Sequence, residues 1–134
     1  MSTQKNVATT QAFLEGLGIG RAPEDLAAMF ASDLSLEIPG KPGALPWVGR
    51  GTGREAMAAF IRSLRDLTEP LAFDVDDILA NEGRTVVVGS LQTKVKQTGK
   101  VISSPFALIF SFTGGEVSRF QMLEDTYAVA QAAL

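Results

Sequence analysis

The 134-residue chain contains no cysteine and no histidine. The first absence excludes a disulfide framework, a thiolate nucleophile and a zinc–thiolate centre. The second removes the imidazole base, the Ser-His and Cys-His pairs and any His-ligated metal. Chemistry in this chain falls to carboxylates, a single Tyr, Lys, Arg, hydroxyls and backbone groups, and no metal or cofactor is expected. Positive charge is also short, with 12 Lys+Arg against 15 Asp+Glu and a net charge of −3. Lys94, Lys96 and Lys100 are too sparse for a phosphate-tracking stripe, so nucleic acid is not an expected partner. The apolar runs are strand-sized, and no membrane span is expected. Met1–Thr10 is polar and lacks the basic region and apolar stretch of a signal peptide, which gives the expectation of a soluble cytoplasmic protein.

What is present is apolar and aromatic: the chain is 46% hydrophobic with 8 Phe. That is ordinary for a globular protein, and the length predicts one domain over residues 1–134. Helical spacing runs from about Asn6 to Leu17, ended by Gly16, Gly18 and Gly20. Pro23 opens a second helix with Leu26, Met29 and Phe30 as its stripe. Leu34, Leu36 and Ile38 then alternate with Ser35 and Glu37 as a strand, stopped by Pro39 and Gly40. Thr52 and Glu55 fit a capping box, followed by Met57, Phe60, Ile61 and Leu64 at helical spacing. Four strands are predicted over 71–80, 85–95, 101–112 and 116–124, joined by Gly-containing turns. Asp125 caps a final Ala-rich helix.

This is an α+β pattern. Phe106, Leu108, Phe110 and Phe112 fall on one face of one strand and need a deep apolar partner surface. A curved sheet wrapped around a helix supplies it and tends to leave a cavity. Gly49–Arg54 has neither the preceding strand nor the Lys-Ser/Thr of a phosphate-binding loop. Asp74 and Asp76 share a face in the alternating reading, and a solvated surface is expected there rather than a calcium site. Glu37 should face away from Leu36 and Ile38. Trp47 sits in the loop after the first strand, placed either to close over a ligand or to cover the core edge. Tyr127, the one phenol, belongs to the final helix.

The order of elements carries a resemblance. Leu34–Gly40, then Trp47-Val48-Gly49-Arg50 before Gly53-Arg54-Glu55-Ala56, and Gly115–Met122 leading to Glu124-Asp125 resemble the nuclear transport factor 2-like superfamily, specifically its SnoaL-like and steroid isomerase-like branch. The resemblance implies a cone, with a bent antiparallel sheet closing on a long helix, short helices near the N- and C-termini, and an enclosed pocket. It implies a homodimer built through the outer sheet face. It also implies enzymes that use pocket carboxylates and Tyr without metal or cofactor. At the positions matching the family's catalytic groups this chain carries Phe13, Ile38, Leu108 and Met122, all apolar. The implied pocket is lined by Phe13, Ile38, Trp47, Phe60, Phe106, Leu108, Phe110, Phe120 and Met122. Regular alternation of the last strand points Phe120, Met122 and Glu124 inward, with Arg119, Gln121 and Leu123 outward. A carboxylate beside so many Phe would be desolvated and its pKa raised, which suits acid/base work. The expectation is a pocket for a small hydrophobic molecule, serving a cofactor-independent isomerase, cyclase or hydrolase with Glu124 as acid/base. The alternatives are a non-catalytic ligand-binding or accessory dimer that has lost the acids, and an interaction module working through the outer sheet face.

Overall fold

The computed structural model describes residues 2–134. Two helices, α1 (Ser2–Gly18) and α2 (Pro23–Ala27), precede the strands β1 (Phe30–Ile38) and β2 (Gly49–Thr52). Helix α3 (Gly53–Leu67) leads into β3 (Thr68–Ala80), β4 (Arg84–Val95), β5 (Val101–Thr113) and β6 (Glu116–Glu124), and α4 (Thr126–Ala133) ends the chain. The described residues thus hold four helices and six strands. At 17 residues α1 is longer than α3 at 15, so the N-terminal helix is not the short element expected of it.

The six strands form one curved, open sheet in the order β2-β1-β6-β5-β4-β3. The resemblance implied an antiparallel sheet, and the sheet is mixed: β1 and β6 run parallel, with Leu36 opposite Phe120 and Glu37 opposite Gln121. Parallel pairing needs a long connection; here it is the whole stretch through α3 and the β3–β5 meander. Ladder irregularities between Pro70 and Ala72, between Val75 and Asp77, and between Ser111 and Phe112 are of the kind that bends and twists strands.

Two local expectations are corrected. Phe30 does not extend the second helix: α2 stops at Ala27, and Phe30 opens β1 opposite Val117. Thr52 makes no side-chain cap to α3. It is committed to the ladder with Ser35, and the turn into the helix falls on Gly53 at φ +90°, a conformation glycine adopts without steric cost. At the other end Asp125 does cap α4, accepting from the Ala128 N–H at 3.0 Å.

The helices α1–α3 fill the hollow of the sheet. Met57, Phe60 and Ile61 of α3 and Leu26 of α2 are buried against Leu34, Leu36, Val87, Leu108 and Phe110. The closed end of the hollow holds a cluster of rings. Phe13 and Phe30 meet edge-on at 5.1 Å, Phe110 and Phe120 at 5.1 Å, and Phe13 lies 5.8 Å from Phe110. Buried polar groups in this region are paired. The hydroxyls of Thr10 and Thr85 are 2.6 Å apart, and Asn6 Nδ2 donates to the carbonyls of Asn81 and Glu82 at 3.3 and 3.0 Å. These bonds fasten α1 to the β3–β4 turn. At the other end α4 lays Val129 and Ala132 on Val95 and Ile102, with Leu45 beside them. The Thr98 hydroxyl donates to the Ala132 carbonyl at 2.6 Å and holds the helix down. No helix among the described residues is long and apolar enough to cross a membrane.

Candidate functional site

The register of the sheet decides which side chains share the hollow. Residues directly opposite one another across a ladder lie on the same face. Phe110 faces Phe120, Leu108 faces Met122, and Phe106 faces Glu124. Phe110 and Leu108 belong to the helix-covered core, so Glu124 projects to the concave side. Continuing outward, Phe106 is opposite Gly89, and Gly89 is opposite Val75. One row, Val75–Gly89–Phe106–Glu124, therefore crosses four strands between the part of the hollow filled by α1–α3 and the part covered by α4.

That row is open. Val75 is 42% exposed and Phe73 46% exposed, although both are large and apolar. The Phe73 ring stacks on Phe106 at 4.7 Å and 15°. Gly89 supplies no side chain between them, and none would fit, because a Cβ there would lie 2.0 Å from the Asp74 carbonyl oxygen. Glu124 itself is partly buried. Its carboxylate joins none of the ion pairs of the described residues. Burial alone pushes its pKa up to about 7, since desolvation disfavours the charged form.

The remaining site candidates fall in three places. Phe13, Ile38, Phe110 and Phe120 lie fully buried in the core, and Phe60, Phe106 and Leu108 are nearly so. Met122 is partly buried against the same core. Trp47 packs on both apolar clusters and meets Phe60 edge-on at 6.0 Å. Beside that pair lies a cavity of about 170 Å³, bounded by Leu36, Ala56, Ala59, Ser63 and the Gly49–Gly51 backbone. Glu124 does not line it. A broader groove of about 450 Å³ on the convex side is bounded by Ala72, Asp74, Ser90, Gln92, Ser103 and Pro105.

Glu37 faces outward as the alternation requires, yet it is not simply solvated. It pairs with Arg50 at 3.2 Å and Arg119 at 3.0 Å and accepts from Gln121 Nε2 at 3.0 Å. The Arg119 hydrogen bond chiefly holds its carboxyl below the usual range. The ladder irregularity after Val75 puts Asp74 and Asp77, opposite Ser90 and Val88, on the convex face, so Asp74 and Asp76 are not the sharing pair. No group of three acidic residues among the described residues could hold a metal. Tyr127 is exposed. Sequence reasoning missed Phe73 and Val75. The signal available was Gly89 inside a strand pattern, which marks a bulge or a close backbone approach.

A family model for the SnoaL-like domain matches residues 10–120, ending four residues before Glu124. No curated protein matches the chain. Among solved structures, an NTF2-like protein of Burkholderia xenovorans is similar at 28% identity and a TM-score of 0.88, covering 100% of this chain and 99% of its own. A Xanthomonas campestris protein provisionally described as a polyketide cyclase is similar at 18% identity and a TM-score of 0.77, with both chains covered in full. The structure of TerC co-crystallised with polyporic acid is similar at 16% identity and a TM-score of 0.78, covering 96% of this chain and 98% of that one.

Proposed function

Since this chain belongs to the SnoaL-like domain family, we propose that it binds a small hydrophobic molecule on the open row of its concave face and that Glu124 is the acid/base of a cofactor-independent reaction on it. The observation that carries the reading is the position of Glu124: opposite Phe106, on the concave side, with no partner of its own. A carboxyl with a pKa of about 7 is present in both protonation states near neutrality. Such a group takes a proton from a substrate carbon or from water and returns it, as isomerisation, cyclisation and hydrolysis all require. Phe73 and Val75 offer the apolar surface, backed by the buried Phe106, with Met122 as the floor beside Glu124 and Trp47 as the flank toward the 41–48 loop. The description of one structural neighbour as a polyketide cyclase fits an apolar ligand.

One observation favours a second reading, in which the site binds without turnover. The resemblance places the family's other polar groups at Phe13, Ile38, Leu108 and Met122, and these apolar side chains offer no donor to stabilise charge developing on a substrate oxygen. Thermal-shift screening of flat apolar compounds, repeated with Glu124→Gln, separates the two. Under the catalytic reading a stabilising compound is consumed by the native protein, and consumption drops at least a hundredfold in the variant while binding persists. Binding without any consumption by the native protein establishes the second reading. No stabilisation by any compound, and no effect of Phe73→Ala, removes the site.

A further inference from the structure

We propose that the ligand of the concave row is a lipophilic cation, an apolar body carrying an ammonium group that pairs with Glu124. This rests on the reading of that row as a ligand site and deepens it. Glu124 projects among Phe106, Met122 and the aromatic stack of Phe73, and nothing among the described residues answers its carboxylate. Among the described residues no ion pair reaches it, and the cations of the strands and helices around it are directed elsewhere. Strand β5 and helix α4 contain no charged residue. On β6, Arg119 is turned to the convex face and held by Glu37. On β4, Arg84 reaches Ser111 at 3.3 Å, and Lys94 lies opposite Glu69. On α3, Arg54 donates to the Phe30 carbonyl, Arg62 is paired with Glu24, and Arg65 donates to the Leu17 carbonyl. Of the neighbouring acids, Asp125 caps α4, and Asp74 and Asp77 face the convex side.

A partly buried carboxylate without a partner is costly, and a cation relieves that cost more fully than a neutral donor does. The rings beside it are tolerant of positive charge, since the face of a phenyl ring attracts a cation. An anionic ligand meets the opposite situation, with a carboxylate to repel it. The row is therefore selective by charge as well as by apolarity.

The test compares three compounds of one shape, 4-phenylbutylamine, 4-phenylbutanol and 4-phenylbutyrate, by calorimetric titration at pH 8. The amine should bind on the order of tenfold more tightly than the alcohol, as expected for a hydrogen bond between charged groups, and the butyrate should bind least. In Glu124→Gln the amine and the alcohol should become equal. Lowering the pH from 8 to 5 should weaken the amine toward the affinity of the alcohol, about tenfold in all, because Glu124 takes up a proton while the amine stays charged. Alcohol binding should not weaken. Phe73→Ala, on an exposed ring that leaves the core intact, should cost the amine several-fold. An alcohol bound as tightly as the amine at pH 8, or an amine preference that survives Glu124→Gln, overturns the charge selectivity and leaves the ligand site standing. Failure of all three compounds to bind overturns both.

Discussion

Glu124 dominates the residue scale because its energetics and its proposed role have one cause. Its pKa rises from an ordinary 4.5 to about 7 through burial. The folded protein thus holds this proton more tightly than the unfolded chain does. The stability that this one group contributes is fullest below about pH 4.5, declines as the pH rises toward 7, and is level above that. At about 1.4 kcal/mol per pKa unit, the loss is on the order of 3 kcal/mol. Glu124→Gln should remove this slope and stabilise the protein at pH 8 by up to that amount, measured by urea denaturation across the pH range. A variant less stable than the native protein at pH 8 would mean that the carboxylate has a partner. Strand alternation alone put Glu124 on the concave face. Regular alternation along β3 did not give the company it keeps there, because Phe73 and Val75 reach the concave face through the irregularity between Val75 and Asp77, and a one-residue shift turns every earlier side chain to the other face.

At the scale of elements, strand and helix existence was legible and the junctions were not. The β3–β6 meander followed from alternation and turn residues. The junction into α3 looked like a capping box because Thr52 and Glu55 have the right spacing, but the Thr52 side chain makes no cap bond and the turn falls on Gly53. The two caps should differ accordingly. Asp125→Ala should cost about 1 kcal/mol, seen as faster amide exchange through α4, whereas Thr52→Ala should stay within about 0.5 kcal/mol. Equal losses would mean that Thr52 does cap α3. Gly89→Ala is a harsher change, since its Cβ would collide with the Asp74 carbonyl of the neighbouring strand. It should cost about 2–4 kcal/mol and loosen the β3 edge, with Phe73 losing its place against Phe106. Full native stability in that variant would show that β3 can shift without cost.

For the molecule as a whole, one face of the sheet is filled and the other is bare. Helices α1–α3 and α4 all lie on the concave side, leaving Leu79, Val86 and Ile109 in one convex row, with Val88 and Ala107 in the next. The homodimer expected from the family resemblance would be built on this face. Light scattering at micromolar concentration should give twice the chain mass, and Ile109→Lys, placed mid-row, should halve it without unfolding the protein. A monomeric mass for the native chain would reject the dimer. The cone was legible from element order, and the mixed pairing was not, because the neighbour of β1 lies at the far end of the chain and no local signal records it.

An unpartnered, desolvated carboxyl on the concave face is the core of the proposed site. Its most direct test is a carbon-13 NMR titration of the Glu124 side-chain carboxyl, assigned by its loss in Glu124→Gln. The expected midpoint is about 7 in the free protein, moving when an apolar ligand is bound. A midpoint near the ordinary 4.5, unmoved by any ligand that stabilises the protein, would contradict the account.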